Sequence, residues 1–307
     1  MKYLPFLFCI FIIMFNLHAD GPGEILPLIK YENLRFGSGE TLEIVTWNIQ
    51  NFPKSEYTVE YVSRIMQAVD ADIYALQEIE NNSAFFQLLQ HLNTPPDTTD
   101  WRGFRANSDE WDQNLAYVYK TAAVKVEAIY EIFNQPNDEY AFPRFPLIME
   151  CLYQGNEIIV INNHFKARAG KENEIRRKEA SERLKKYIDS TLPDKNVIML
   201  GDLNDHLTDT PETNVFQVYL DDRENYLFTD YSIAADSTAD WSYPYWEYRG
   251  HIDHILVSNE LFDEFNSKSS EIRTIVIDRY MEGGEENRYR YITDHRPIGL
   301  KLKFTDK

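Results

Sequence analysis

Val197-Ile198-Met199-Leu200-Gly201-Asp202-Leu203-Asn204-Asp205 decides the fold. The apolar run reads as a strand buried on both faces. The glycine permits a sharp turn at its end, and the carboxylates and amide that follow are delivered into one space beyond it. The same grammar recurs: Ile44-Val45-Thr46 closes on Trp47-Asn48, Ile73-Tyr74-Ala75-Leu76 on Gln77-Glu78, and Ile158-Ile159-Val160-Ile161 on Asn163-His164. Two clusters reverse the order. His251-Ile252-Asp253-His254 opens Ile255-Leu256-Val257, and Thr293-Asp294-His295 opens Pro297-Ile298-Gly299-Leu300. If the last two strands run antiparallel to the first four, all six clusters meet at one edge.

Between these strands, Val59, Val62, Ile65, Met66 and Val69 predict an amphipathic helix over 57–69. Phe85, Phe86, Leu88, Leu89 and Leu92 predict a second, ended by Pro95-Pro96-Asp97 and a loop toward Trp101. Residues 171–191 predict the longest helix, with Ile175, Leu184, Tyr187 and Ile188 on its apolar face. Residues 115–119, 146–152 and 157–161 read as strands, the last two joined at Gln154-Gly155-Asn156. Helices and strands alternate early and strands dominate late. That fits an α/β (α+β) sandwich of mixed sheets better than an all-parallel doubly wound fold.

The 307 residues, 43% of them hydrophobic, suffice for a full core, and no repeat or linker divides them. The N-terminus stands apart: Lys2 precedes an almost unbroken apolar run over 4–17, then Leu17-His18-Ala19 and Asp20-Gly21-Pro22-Gly23. This is the pattern of a secretory signal peptide cut after Ala19, which places the mature protein outside the cell or in a periplasm. A retained membrane anchor is the other reading of the same run. The organisation expected is thus signal peptide 1–19, leader 20–40 and one catalytic-type domain 41–307, a monomer with no protein partner implied. Cleavage would remove Cys9 and leave Cys151 alone on a buried strand, so neither a disulfide nor a cysteine zinc site is available.

The formal net charge is −19; without Lys2 it becomes −20, 30 cations against 50 acids. So acidic a chain does not hold a polyanion by its overall field, and needs metal ions and a local basic patch to do so.

Residue by residue, the clusters suit phosphate chemistry. Asp202 can orient or deprotonate a water and Asn204 can donate to a phosphate oxygen, although Asp and Asn also favour turns. Glu78 at a strand end suits a hard, oxygen-preferring cation such as magnesium or calcium, and Asn48 can share that ion; either can instead cap its strand. Asp253 accepting the Nδ1 proton of His295 would fix the tautomer and leave Nε2 for a phosphate, with His164 as a second acid/base group. Arg144, between Pro143 and Phe145-Pro146, fits a rigid phosphate clamp or a plain loop. Lys166, Arg168, Lys171, Arg176, Arg177 and Lys178 form the main basic concentration, readable as a track for a nucleic-acid backbone or as a solvated helix face balanced by Glu172, Glu174, Glu179 and Glu182. The run Trp241-Ser242-Tyr243-Pro244-Tyr245-Trp246 can stack bases, insert at a membrane interface, or pack its rings on the core.

The ordered set Thr46-Trp47-Asn48-Ile49-Gln50-Asn51-Phe52, Leu76-Gln77-Glu78, Asn163-His164-Phe165-Lys166, Gly201-Asp202-Leu203-Asn204, Ile252-Asp253-His254 and Thr293-Asp294-His295-Arg296-Pro297 resembles the endonuclease/exonuclease/phosphatase superfamily, the DNase-I-like metal-dependent phosphodiesterases. The resemblance covers nearly all of the chain after residue 40. It implies a four-layer sandwich, two mixed sheets face to face with helices outside. It further implies a divalent metal, magnesium first and calcium or manganese as alternatives, on Glu78 with Asn48 and Asp294. Asp202 and Asn204 would position the attacking water, Asp253 would orient His295 at the scissile phosphate, His164 would be the second histidine, and Arg144 would contact phosphate. Ile79-Glu80-Asn81-Asn82 departs from the residues typical of abasic-site endonucleases, and the whole looks closer to secreted bacterial nucleases. A nucleic acid is the expected substrate, contacted by Lys166, Arg168, Trp241, Tyr243 and Trp246. A membrane lipid or small phosphoester is the alternative, since the fold does not name the substrate.

Overall fold

The computed structural model describes residues 33–94, 99–108, 113–244 and 248–304. Residues 1–32, on which the expected signal peptide and most of the expected leader fall, Pro95-Pro96-Asp97 and Trp246 lie outside the described residues.

Strands β1 (Leu42–Phe52), β2 (Ile73–Ile79), β3 (Trp101–Arg105), β4 (Asn114–Lys120), β11 (Glu271–Thr274) and β12 (Ile298–Leu302) make one sheet, in the order β11-β12-β1-β2-β4-β3. Strands β5 (Lys125–Glu131), β6 (Leu147–Tyr153), β7 (Asn156–His164), β8 (Asn196–Asp202), β9 (Tyr226–Phe228) and β10 (Asp253–Ser258) make the other, in the order β5-β6-β7-β8-β10-β9. Each sheet has a parallel pair at its centre, β1–β2 and β7–β8, flanked by antiparallel neighbours. The strands opened by the two late polar clusters are indeed antiparallel: β10 pairs Asp253 with Asp202 on β8, and β12 pairs Ile298 with Thr46 on β1.

Alternation along the strands sorts the side chains into layers. Leu42 and Ile44 on β1, Ile73 and Ala75 on β2, Ile158 and Val160 on β7, and Ile198 and Leu200 on β8 meet between the sheets. Val45 and Trp47 face the other way, onto helices α1 (Thr58–Val69) and α2 (Asn82–Leu92). On the far side, Ile159 and Met199 pack on Ala180, Leu184 and Ile188 of α3 (Lys171–Thr191). The result is the four-layer mixed-sheet sandwich expected from the sequence. Among the described residues Cys151 is free and buried, and each buried Leu or Ile of the three apolar layers contributes about 1.5–3 kcal/mol.

Some details differ from expectation. Ile175 is exposed, because the buried stripe of α3 runs through Arg177, Ala180, Ser181, Leu184 and Ile188 instead. Phe86 on α2 is exposed as well. Within the 20–40 segment, Leu34 and Phe36 are buried against the α1 side of the first sheet, so its end belongs to the core.

Candidate active site

The layer between the sheets changes character toward one edge. Along β1, Leu42, Ile44, Thr46 and Asn48 share the inward face; along β8, Ile198 and Leu200 are followed by Asp202; along β7, Ile158 and Val160 are followed by Asn162 and His164. Just below the edge the polar residues are paired across the seam. Gln77 Nε2 donates to Asn162 Oδ1 at 2.7 Å, and Asn162 Nδ2 donates to the carbonyls of Leu76 and Ala116 at 3.0 and 3.1 Å. At the edge itself Asn48 Nδ2 crosses from one sheet to the other, donating to Asp202 Oδ2 at 2.9 Å and to Glu78 Oε1 at 3.2 Å.

Two backbone irregularities set the geometry. Strict alternation would turn Glu78 outward beside Leu76, but its φ of 61° breaks the strand, and the β2–β4 register shifts there. Asn51 N–H then holds its Oε2 at 2.9 Å. Gly201 has φ 140°, and a Cβ there would lie 1.9 Å from Asn163 O, so only glycine lets β7 and β8 close up beneath His164 and Asp202.

The sequence-expected histidines and carboxylates converge. Asp253 Oδ2 lies 2.8 Å from His295 Nδ1, as the pairing predicted, and His295 N–H is fixed by Thr293 Oγ1 at 3.0 Å. His295 Nε2 looks toward Asp202 Oδ2 at 3.7 Å and Asp294 Oδ1 at 3.8 Å. His164 Nε2 is 3.5 Å from Asp202 Oδ2 and 3.9 Å from Glu78 Oε1. Asn204, at φ 55°, donates its own N–H to Asp202 Oδ1 at 3.1 Å. Gln50 Nε2 holds Asp294 Oδ2 at 3.0 Å.

Protonation follows from this crowding. Burial and the neighbouring Asp253 push the Asp202 carboxyl up to about 7. Burial alone would depress His295, but Asp253 and Asp202 outweigh it and raise it to about 10, an imidazolium at neutral pH. His164 goes the other way: burial, then the charges of Arg144, His295 and Lys166, hold it well below the usual histidine range. The site thus holds one charged and one neutral imidazole around a carboxyl that titrates near neutrality, the division of labour that acid–base chemistry requires.

A pocket of about 480 Å³ opens here, lined among others by Glu78, His164, Asp202, Asn204, Tyr243 and His295. Tyr243 meets the His295 ring edge to face at 4.9 Å. Trp241 does not offer a free ring: its Nε1 donates to the carbonyls of Ile233 and Asp236, and Arg249 covers its face. Arg177, expected on the basic track, is buried, donating to Asp205 Oδ2 at 2.7 Å and to the carbonyls of Lys166 and Arg168. Lys166, Arg168, Arg176 and Arg144 line an adjoining pocket of about 670 Å³ with Glu78 and Gln113.

A second buried cluster was not read from the sequence. Asp230 Oδ2 receives His251 Nε2 at 2.9 Å and His254 Nδ1 at 2.6 Å, while Asp230 Oδ1 takes Ile255 N–H at 2.9 Å. His254 Nε2 meets the carbonyl of Asp205 at 2.9 Å. Since a carbonyl and a carboxylate can only accept, both His254 nitrogens carry protons and the ring is cationic. Ser242 N–H donates to His251 Nδ1, and Ser242 Oγ takes the N–H groups of Ile252 and Asp253. The only sequence signal was the His-x-x-His spacing of His251 and His254; Asp230, some twenty residues upstream, carried none.

Convergent carboxylates, a paired imidazolium and an adjoining cationic pocket at the edge of a mixed-sheet sandwich define a site for phosphoester chemistry. The chain belongs to the Endonuclease/Exonuclease/phosphatase family, whose model matches residues 45–295. No curated protein sequence matches it. Among solved structures it is similar to the TDP2 of D. rerio complexed with single strand DNA product (16% identity, 86% of this chain and 99% of that one, TM-score 0.64). It is similar also to an endonuclease/exonuclease/phosphatase from Bacteroides vulgatus (16%, 86% and 99%, 0.62) and to the human Nocturnin catalytic domain with bound sulfate anion (16%, 87% and 94%, 0.59). At these identities the likeness shows the fold.

The residues fit the divalent ion on which this fold usually depends. Glu78 and Asp294 present oxygens to the pocket, and Asp294 Oδ1 is buried without a hydrogen-bond partner. Asn48 departs from the expected ligand set: its oxygen already accepts Gln50 N–H at 3.0 Å, and it turns its amide nitrogen to the carboxylates. It therefore holds Glu78 and Asp202 in place rather than offering an oxygen.

Proposed function

We propose that this protein is an exported, divalent-metal-dependent nuclease that hydrolyses phosphodiesters of DNA or RNA by in-line attack of water. The observation that carries the reading is the meeting of Glu78, His164, Asp202, Asp294 and His295 in one pocket beside a cationic one, with Asp253 paired to His295 behind it. The D. rerio neighbour with its single strand DNA product and the Nocturnin domain with its sulfate support a phosphate-bearing ligand here as well. The apolar run over 4–17 supports export.

In this mechanism Asp202, raised toward neutrality, accepts the proton of the attacking water, and Asn204 beside it positions that water. His295, kept cationic by Asp253, donates from Nε2 to a non-bridging phosphate oxygen where charge develops. His164, kept neutral, is the second acid/base group, and Arg144 clamps phosphate from the adjoining pocket. Glu78 and Asp294 would hold the ion, magnesium first, which supplies charge neutralisation on the phosphate oxygens. Tyr243, against His295, is placed to meet the group next to the scissile bond.

The test is direct: purified residues 20–307 are incubated with plasmid, single-stranded oligonucleotide and RNA, with magnesium, calcium, manganese or chelator. Chelator-sensitive cleavage, lost in His295→Ala, is expected. Intact nucleic acid alongside hydrolysed sphingomyelin or phosphoinositide would replace the substrate, and no hydrolysis of any phosphoester would end the reading.

A further inference from the structure

The pocket beside the catalytic one has an unusual charge balance for this protein. Lys166, Arg168 and Arg176 line it together with Arg144, in a chain whose net charge is −19. Among the described residues, none of Lys166, Arg168 and Arg176 pairs with a carboxylate. Lys166 reaches only the carbonyl of Ala167 at 3.3 Å, Arg176 donates to the carbonyls of Tyr140 and Glu139, and Arg144 donates to the neutral amide of Gln113. Several buried or half-buried cations elsewhere do find acids, as Arg296 and Arg288 find Asp278, and Lys185 finds Asp189 and Asp222. Gathering like charges costs free energy, and the repulsion is visible: burial first, then Arg176, Arg144, Arg168 and Arg177, lower the Lys166 ammonium.

The cations are also held there deliberately. Arg168 sits at φ 79°, a strained conformation for a side-chain-bearing residue. The buried Arg177 fixes that loop by donating to the carbonyls of Lys166 and Arg168 at 2.9 and 3.1 Å while pairing with Asp205. Asp205 in turn offers its carbonyl to the His254 imidazolium. The chain Asp230–His254–Asp205–Arg177 thus ties the second buried cluster to the cationic loop, and Asn204 adds a bond to Phe165 O at 3.3 Å. Glu78, Ala167 and Arg168 line both pockets, so one occupant can extend through the two.

We infer that this pocket is a second anion subsite, which takes a phosphate of the same substrate next to the one being cleaved, with Arg177 as the positioning residue for its loop. The inference rests on the nuclease reading for its substrate class: the neighbouring phosphate is that of a nucleic-acid strand. A substrate with a single phosphate fills only the catalytic pocket and forgoes the contacts of Lys166, Arg168 and Arg176.

The experiment compares d(TpT), with one phosphate, and d(TpTpT) and d(pTpT), with two, using the full mature chain and magnesium. In the wild type the second phosphate should raise kcat/KM by about tenfold or more, the scale of one charge-assisted contact. In Arg168→Gln/Arg176→Gln that ratio should fall to about twofold or less, since those contacts are gone. Each variant's rate on d(TpT) is its own reference, and its urea midpoint reports folding. Arg177→Lys should shrink the ratio through KM while Tyr243 and His295 stay in place, whereas a purely structural role would lower all substrates alike. Hydrolysis of all three at one rate by the wild type overturns the subsite and leaves the nuclease reading standing. No hydrolysis of any phosphoester ends that reading instead. Titration calorimetry with d(TpT) and d(TpTpT) then decides the subsite without turnover: tighter binding of the second ligand, lost in the double variant, supports it, and equal binding overturns it.

Discussion

Two clusters of buried imidazole and carboxylate share strand β10, one residue apart. Asp253 points into the seam between the sheets and meets His295; His254 points to the opposite face and meets Asp230. The clusters look alike in composition and differ in saturation. Around Asp230 each nitrogen and oxygen has a partner, including Ile255 N–H, Ser242 N–H and the Asp205 carbonyl. At the seam, Asp253 Oδ1, Asp294 Oδ1 and His164 Nδ1 are buried without one. A buried polar atom left unpaired costs about 1–3 kcal/mol, so the seam is maintained against stability and the Asp230 cluster in favour of it. The difference teaches which histidines are for the substrate and which are for the fold.

That contrast can be broken from either side. The largest effect is expected at the seam: His295→Ala should lower kcat by about 10²–10⁴, measured by steady-state rates on protein that calorimetric melting shows to be folded. Next, Asp230→Asn should cost about 3–5 kcal/mol in urea unfolding, because it strands the His254 charge in the interior. A merely modest loss there would make the two clusters equivalent. Third, millimolar magnesium or manganese should raise the melting temperature of wild type and not of Glu78→Gln/Asp294→Asn, since an ion that binds only the folded state stabilises it.

The smallest effect is one of pH, and the two aspartate variants should shift stability in opposite directions. Asp202 has a folded value near 7, above that of an unfolded aspartate, so the folded metal-free protein binds the extra proton. Its stability should therefore fall as pH rises from 4 toward 8, and Asp202→Asn should be more stable than wild type at pH 8, the gain shrinking as pH falls toward about 4. Asp230 is held far below the usual range, and His254 above it, so their pair should stabilise most between the two unfolded values, about 4 and 6.5. Urea midpoints at pH 5 and 8 for the two aspartate variants separate these cases.

Legibility in the sequence followed the same division. Central strands were readable because a strand buried on both faces is a continuous apolar run, as in β7 and β8. Edge strands such as β3, Trp-Arg-Gly-Phe-Arg, and β5, Lys-Val-Glu-Ala-Ile-Tyr-Glu, mix polarity and carried no such run. The seam residues were readable because each ends or begins a run. Arg177 was misjudged because helical charge gives no sign of burial until Asp205 is folded beneath it, and the Asp230 cluster was missed because its parts lie on separate elements. Ile175 failed for a related reason: the stripe of α3 is defined by small and polar residues, Ala180 and Ser181, that a count of large apolar side chains passes over.

The pairing of β1 with β12 has a consequence for how the protein comes to life on the ribosome. Leu42 lies opposite Leu302, so the first and last described strands stand side by side in the middle of one sheet. His295 arrives only three residues before β12. A nascent chain can lay down both parallel pairs and most of the sandwich while still lacking His295, so this imidazole joins Glu78, His164, Asp202 and Asp253 only after all four have been made.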